Sequence, residues 1–181
     1  MRFRTFSTEG VVLSRKNYGE ADRILTVYSK HFGKIRLLAK GVRRPKSRKR
    51  GHVEIFSRIK FSVSKGNGLD LITEAELVDS YDEVRRDLKK IALAYYLCEV
   101  LNATTREDEK NSAIFEKIVE NLELLATENN LKEFRKKFVF EVLVSLGFWP
   151  REKTLLNPDF VLEEIVERKM NSARVGKIVL T

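Results

Sequence analysis

Apolar and polar residues alternate along roughly the first eighty positions of the chain, the period expected of β-strands with one buried face. Over 34–40 the apolar residues Ile35, Leu37 and Ala39 fall on one face of the predicted strand, and over 53–64 the alternation continues for the full length of the segment. Glycines on both sides of Asn67 predict a hairpin turn, because these residue types tolerate positive φ. The five predicted strands span 9–16, 23–29, 34–40, 53–64 and 69–78. Five short strands in so few residues predict an OB-fold or SH3-like barrel.

After residue 80 the apolar residues recur at helical spacing, which predicts a second, α-helical unit. Ser80 followed by Glu83 forms a capping-box pattern and predicts a helix beginning near residue 81. Asn130 with Glu133 repeats this pattern, and Gly147 suits the left-handed position that follows a helix. The predicted helices cover 81–103, a stretch from Asn111 or Ser112 to Leu125, 131–146 and 159–170. Their apolar stripes predict a packed core.

Positive charge is concentrated in the first unit. The chain has 35 Lys and Arg residues against 26 Asp and Glu, and residues 1–80 hold 18 of these bases but 8 of these acids. A basic segment over 40–50 contains no acid and seven cations, namely Lys40, Arg43, Arg44, Lys46, Arg48, Lys49 and Arg50. Charges this dense repel one another unless a polyanion neutralises them, and nucleic acid is the commonest cellular polyanion. We therefore predict a loop that contacts phosphates; a solvated basic turn and a contact with anionic lipid are the alternatives.

Strand alternation adds cations and aromatic rings to the same predicted surface. The polar positions of the strands that flank the basic segment are occupied by Lys34, Arg36, Arg58 and Lys60. Single-stranded nucleic acid needs cations for its phosphates and flat rings for its unstacked bases. The candidates for base stacking are Tyr18, Tyr28 and Phe56. Phe56 alternates in phase with Arg58 and Lys60, and its alternative is a small cluster packed against the helical unit.

Residues with catalytic or metal-binding chemistry are sparse. Cys98 is the single cysteine, which argues against a disulfide framework or a paired-cysteine zinc site and suits a small core residue. His31 and His52 have no nucleophile or metal-ligand partner at a recognisable spacing. No phosphate-loop, serine-hydrolase or zinc-protease motif is present. We predict a binding protein that is not an enzyme and uses no metal or cofactor. With no signal-peptide pattern or membrane-length apolar segment, a cytoplasmic location without membrane attachment is expected.

Four motifs follow one another along the first unit: Gly10-Val-Val-Leu, Tyr18-Gly-Glu-Ala-Asp-Arg-Ile-Leu, Phe32-Gly-Lys and Ala39-Lys-Gly-Val-Arg-Arg-Pro-Lys-Ser-Arg. Ala75-Glu-Leu and then Tyr95-Tyr-Leu-Cys-Glu-Val-Leu come later. This ordered set resembles the RecO family, densely over 9–80 and more loosely to residue 150. The resemblance implies an α+β fold, with an N-terminal five-stranded OB-fold barrel over 1–80 and an all-α helical domain over 81–181.

The resemblance also implies a non-catalytic role in recombinational DNA repair. RecO-like proteins bind single- and double-stranded DNA and anneal complementary strands, including strands coated with single-stranded DNA-binding protein. They act with RecR to load RecA recombinase, which implies a nucleoid-associated location. The matching basic positions are Lys34, Arg36, Lys40, Arg43, Arg44, Lys46 and Arg48, while Lys49 and Arg50 extend the run and Arg58 and Lys60 follow from strand alternation. The family docks the acidic tail of the single-stranded DNA-binding protein on the helical domain, which makes Arg135 and Lys137 candidates.

One feature departs from the family pattern, and two other functions fit the same composition. Many RecO proteins insert a four-cysteine zinc module after the helix corresponding to 131–147, whereas here residues 147–158 lead directly into the last predicted helix. We therefore predict no zinc. A small-barrel RNA-binding protein needs the same cations, and competition between structured RNA and single-stranded DNA distinguishes it. A protein adaptor working through its helical unit binds a partner protein tightly and DNA only weakly.

Overall fold

A computed structural model describes residues 5–47, 51–167 and 169–170. The strands of the first unit are β1 (Thr5–Tyr18), β2 (Asp22–Ser29), β3 (Gly33–Ala39), β4 (Arg58–Ser64) and β5 (Asp70–Asp79). Hydrogen-bonded neighbours follow the order β1-β2-β3-β5-β4, and β4 also pairs with β1, so the sheet closes into a barrel. Strand number, order and closure are those of an OB fold. Together with the helices that follow, this confirms the predicted α+β class.

The barrel closes most narrowly between β3 and β5. This contact is parallel and has two residue pairs, Leu37 with Asp70 and Leu38 with Leu71, whereas the other four contacts are antiparallel and longer. The first residues of β3 lie beyond this short closure, and their edge meets the chain again at Glu107, which forms an isolated bridge with Lys34. The end of the barrel at Gly33 is therefore open between β3 and β5.

Alternate residues of β3 and β4 fill the barrel interior, as the sequence pattern predicts. Ile35, Leu37 and Ala39 of β3 are buried, which confirms the inward face predicted for that strand. They belong to a hydrophobic cluster formed by Val12, Leu25, Val27, Ile35, Leu37, Ala39, Val42, Val53, Ile59, Phe61, Val63 and Ile72. Burying apolar surface of this kind is the main favourable contribution to folding.

The predicted strand over 53–64 is wrong in its first half, because only residues from Arg58 onward form a strand. Residues 53–57 instead run beside β1, where the Phe56 N–H donates to the Val12 carbonyl over 2.8 Å and the Val12 N–H donates to Ser57 over 3.1 Å. Phe56 has a φ of 55°, in the left-handed region that large side chains rarely adopt, and this turn ends the alternation.

The second unit contains the helices α1 (Asp82–Arg85), α2 (Leu88–Thr104), α3 (Ser112–Leu125), α4 (Leu131–Ser145) and α5 (Pro158–Val166). The predicted caps of the middle helices are confirmed, since Asn111 accepts from Ile114 N–H and Asn130 accepts from Glu133 N–H. Gly147 follows α4 with a φ of 77°. No helix in the described ranges is both long and apolar enough to cross a membrane.

The single helix predicted over 81–103 is wrong, because it is interrupted after its first turn. Tyr81 precedes α1 in a left-handed conformation and makes no side-chain cap. Asp87 then caps α2, accepting hydrogen bonds from the N–H groups of Lys89 and Lys90. Asp is among the preferred cap residues, so Asp87 explains why the long helix begins at Leu88.

The two units share one hydrophobic cluster. The register of β1 shifts between Val12 and Ser14, so Leu13 is an extra residue in that strand. Val11, Leu13 and Tyr28 lie outside the barrel core and pack with Phe56 against the buried residues of the helices. The barrel therefore depends on the helical unit to cover part of its outer surface.

Candidate nucleic-acid interface

The basic segment is fastened to the turn between β1 and β2. The Arg43 N–H donates to the Ala21 carbonyl over 2.9 Å, and the Gly41 N–H donates to Asp22 Oδ1 over 2.7 Å. The Arg43 guanidinium also donates to the Gly19 carbonyl over 3.3 Å. These bonds place the loop after β3 and the β1–β2 hairpin tip at one end of the barrel.

Two valines of the loop anchor it to the barrel core. Val42 and Val53 are fully buried, so the chain between them is held at both ends. From Gly41 the chain makes two successive turns. The Arg44 N–H donates to the Gly41 carbonyl over 3.1 Å, and the Ser47 N–H donates to the Arg44 carbonyl over 3.0 Å. Pro45 occupies the second position of the latter turn, where its fixed φ is favourable.

The described cations of the basic segment are exposed. Lys40, Arg43, Arg44 and Lys46 point into solvent, and none of these four forms an ion pair with an acid of the described ranges. Their charge is therefore available to an external anion. Arg48, Lys49 and Arg50 lie outside the described residues. The assignment of the whole segment to DNA contact stays a prediction.

The β1–β2 hairpin brings further side chains to this end. Tyr18, the last residue of β1, is 53% exposed and adjoins Gly19, so it remains a candidate for base stacking. Lys16 is exposed on the same strand and was missed by the sequence analysis. Arg15 and Arg23 differ from it, because both form ion pairs with Glu54. Only the strand register, which the sequence alone does not show, places Lys16 on the outer surface.

The outer face of β1, β2 and β3 continues from this basic end. The register aligns Lys16 with Ile24 and Ile24 with Leu38, and Leu38 in turn pairs with Leu71 of β5. Ile24, Leu38 and Leu71 are half-buried, so part of each apolar side chain reaches solvent. In the next row Thr26 aligns with Arg36, whose side chain is 47% exposed and lies 3.8 Å from Glu107. We refer to this surface as the β2–β3 face.

Lys34 does not lie on this open surface, so its predicted exposure is wrong. It is 8% exposed, and its ammonium donates to the carbonyls of Asn102 and Thr105 at the C-terminal end of α2. A cation is stabilised there because the last carbonyls of a helix carry partial negative charge. The alternation of β3 is regular, but the helical unit covers one of its outward positions.

Two of the three predicted stacking rings are buried between the units, so they are not open to a base. Tyr28 is 1% exposed, its hydroxyl donates to the Asn111 carbonyl over 3.3 Å, and burial raises its pKa to about 12. Phe56 is fully buried, with the Arg85 guanidinium 3.8 Å from its ring centroid and Tyr95 in an edge contact. The alternative for Phe56, packing against the helices, is confirmed.

Arg58 and Lys60 lie on β4, away from the basic end, among acids. Arg58 pairs with Glu9 and, over 3.4 Å, with Glu123 of α3. Burial lowers its pKa, but the hydrogen bond to Glu9 and the nearby negative charges together exceed this effect, so the pKa is raised. Lys60 is exposed and aligns with Glu9 on one side and Glu76 on the other. The structure therefore does not bring these two cations together with the basic segment.

The two tail-binding candidates differ in accessibility. The Arg135 side chain is 16% exposed, pairs with Asp159 of α5 and stacks 4.5 Å from the Tyr96 ring centroid, so it connects three helices. The expectation that Arg135 offers its charge to a partner is wrong. Lys137 is 74% exposed, 3.9 Å from Glu141, and borders a cleft of about 490 Å³ with Lys136, Phe140, Arg151, Lys153 and Leu156.

The described residues contain no group of three or more His, Cys, Asp or Glu side chains that could hold a metal ion. Cys98 is buried, and its pKa is raised to about 12 because burial disfavours the thiolate. The chemistry of the site is thus that of an exposed cationic loop, a hairpin tip with one open ring and a partly apolar strand face.

The fold and this surface define an OB-fold protein with a cationic end suited to a polyanion. The sequence matches the family model "Recombination protein O N terminal" over residues 1–81 and "Recombination protein O C terminal" over residues 85–153. The chain belongs to the RecO family of DNA repair proteins. The family resemblance inferred from the sequence motifs is thereby confirmed.

Several relatives described as "DNA repair protein RecO" are similar over most of the chain. The protein of Pelotomaculum thermopropionicum is 35% identical over 81% of this chain and 57% of its own length. That of Desulforamulus reducens is 35% identical over 94% of this chain and 65% of its own. That of Dehalococcoides mccartyi is 31% identical over 84% of this chain and 60% of its own length. The chain thus spans 57–65% of the length of these relatives.

Proposed function

We propose that this chain binds single- and double-stranded DNA through the basic end of its barrel and anneals complementary strands. The observation that carries the proposal is the cluster of exposed cations Lys40, Arg43, Arg44 and Lys46, which form no ion pair with an acid of the described ranges and are held against the β1–β2 hairpin. Lys16 and Tyr18 extend this surface. Membership of a family of DNA repair proteins supports the choice of DNA over RNA.

Annealing needs no catalytic residue. Two complementary strands repel each other through their phosphates, and a cationic surface that neutralises both lowers this repulsion and lets the bases pair. Each phosphate contact releases counterions, so the logarithm of affinity falls with that of salt concentration by roughly 0.7 per contact on single strands. The salt dependence therefore counts the contacts.

Replacing Arg43, Arg44 and Lys46 together by Ala should weaken binding to single-stranded DNA and slow annealing. The slope of the logarithm of affinity against the logarithm of salt concentration, here called the salt slope, should become less steep by about 2, the sum of three contacts at roughly 0.7 each. Fluorescence anisotropy over a range of salt concentrations gives affinity and slope, and two complementary labelled oligonucleotides give the annealing rate. The side chains are exposed, so the melting temperature should not change.

The matched control removes the same charge from the helical unit, by replacing the exposed Arg86, Lys89 and Lys132 with Ala. This variant should keep the wild-type slope. Equal salt slopes in the wild type and the folded loop variant would show that the basic segment does not contact DNA. Stronger competition by structured RNA than by single-stranded DNA would favour the RNA-binding alternative.

The helical unit docks partner proteins in this proposal. The cleft beside Lys137 is lined by apolar and basic side chains, and also by Glu133 and Glu152. Lys136 pairs with Glu133, but Arg151 and Lys153 form no ion pair within the described ranges, which leaves two cations for an acidic peptide with apolar residues. We assign it to the acidic tail of single-stranded DNA-binding protein. The chain then anneals strands that carry this coat protein and acts with RecR to load RecA recombinase in DNA repair. It works by binding and not as an enzyme.

A further inference from the structure

A second concave site lies at the end of β3 opposite the basic segment. It has a volume of about 620 Å³ and is bordered by Phe6, Phe32, Arg36, Lys65, Gly68 and Asp108, among others. It occupies the opening left by the short β3–β5 closure, between the β4–β5 hairpin loop and the chain after α2. We refer to it as the hairpin cleft.

Two aromatic rings form one wall of the hairpin cleft. The ring centroids of Phe6 and Phe32 are 4.3 Å apart, and both side chains are half-buried. Lys65 lies 5.7 Å from the Phe6 centroid, and Lys110 lies 5.8 Å from that of Phe32. Both lysines are exposed, so they can swing aside for a flat ligand. A planar ring that replaces a lysine on these faces would gain stacking contacts.

The charges in the hairpin cleft argue against a phosphate. Arg36 pairs with Glu107 over 3.8 Å and Lys65 with Asp70 over 2.5 Å, so these cations are already neutralised. Asp108 is exposed and, within the described ranges, its carboxylate has no hydrogen-bond or ion-pair partner. A free carboxylate beside phenyl rings suits a neutral heteroaromatic ring with an amino edge, as in cytosine.

The β2–β3 face connects this cleft to the basic end. A strand of seven residues such as β3 is roughly 20 Å long, and OB folds accommodate roughly 4–16 nucleotides of single strand. One continuous strand can therefore hold its phosphates at the basic segment and reach the cleft across Ile24, Leu38 and Arg36. We propose that the hairpin cleft binds an unstacked nucleobase of single-stranded DNA, an inference that rests on the proposed DNA binding.

The test replaces Phe32 by Leu, which removes the ring and keeps an apolar side chain. Affinity for an oligo(dC) of about twelve nucleotides should fall about tenfold, the order expected for one lost base–ring stack. The salt slope should stay at the wild-type value, because no phosphate contact is lost. Photocrosslinking with an oligonucleotide carrying 5-iodouracil should label the cleft residues as well as residues 40–47.

A second variant tests the same cleft independently if Phe32→Leu does not fold. A Cβ built at Gly68 meets no atom within 4 Å, so Gly68→Leu adds bulk to the cleft rim without a clash and should lower affinity in the same way. Phe160→Leu, at an exposed ring on α5, is the control and should bind as the wild type does. Unchanged affinity in both cleft variants, or an altered slope, overturns the cleft proposal while wild-type binding persists. Failure of the wild type to bind DNA at all overturns the proposed function itself.

Discussion

At the scale of the residue, adjacent cations of similar sequence context have different roles. Arg135 and Lys137 are two positions apart on α4, yet one is enclosed by Tyr96 and Asp159 and the other is open to solvent. Substituting the two residues should therefore affect different properties, namely stability for Arg135 and peptide binding for Lys137. A charge that already holds helices together contributes to stability, and a charge without a strong partner is available for binding.

Arg135→Ala should lower the free energy of unfolding by about 1–3 kcal/mol, because it leaves Asp159 without its charge partner in a partly buried position. Lys137→Ala should leave stability unchanged and weaken binding of an acidic, apolar-ended peptide. Urea denaturation and peptide anisotropy measure the two effects. Lys132→Ala, an exposed lysine near the start of α4, is the control for lost charge. Stability losses of equal size at 135 and 137 would contradict this division.

At the scale of the element, the chain between α2 and α3 packs against the start of β3. The Asp108 N–H donates to the Lys34 carbonyl over 2.9 Å, and Lys34 in turn donates to the end of α2. Gly33, with a φ of 69°, lies directly under this segment, where a Cβ would overlap the Glu109 carbonyl oxygen. A glycine is required there both by conformation and by space.

Gly33→Ala should therefore destabilise the protein by more than the strain of a left-handed alanine, about 1–2 kcal/mol. Gly19 provides the matched control, since its φ is 55° but a Cβ there meets nothing within 4 Å. Gly19→Ala should show the backbone strain alone. Denaturant midpoints give both values, and a similar loss at the two glycines would show that the overlap with Glu109 is relieved by a small movement.

The local sequence pattern predicts where helices and strands form, but it does not predict which of their surface positions another element will bury. The inward face of β3, the Asn caps of α3 and α4 and the glycine after α4 are all visible in sequence, because each depends on neighbours a few residues away. Lys34 and Arg36 alternate identically, and only the packing of α2 distinguishes them. Phe56 likewise continues an alternating run, and nothing local indicates that its backbone turns left-handed. The basic segment is contiguous, so its charge density is visible in the sequence whatever the fold. The β2–β3 face is assembled from several strands and can be recognised only once their register is known.

At the scale of the whole molecule, the barrel and the helices share a hydrophobic cluster, so we expect them to fold as one unit. Val11, Leu13, Tyr28 and Phe56 would be exposed on an isolated barrel. Burial of such side chains is worth roughly 1.5–3 kcal/mol each, which is a large part of the stability of a small domain. We therefore expect the two units on either side of residue 80 to depend on each other for stability.

Unfolding should consequently occur in one transition. Trp149 fluorescence reports the helical unit, amide hydrogen exchange of β2 and β3 reports the barrel, and both should give the same free energy of unfolding. Cys98 provides a third probe, since its buried thiol, with a pKa of about 12, should react with alkylating reagents only when the molecule opens. Barrel amides that stay protected after Trp149 has changed would show two independent domains.

The two valine anchors of the basic segment have a consequence for how this protein can vary. Val42 and Val53 belong to the barrel core, while the described cations just after Val42 are exposed. We therefore expect substitutions among Arg43, Arg44 and Lys46 to change the attraction for a polyanion and to leave the packing of the barrel core intact. Affinity could then change during evolution with little effect on folding.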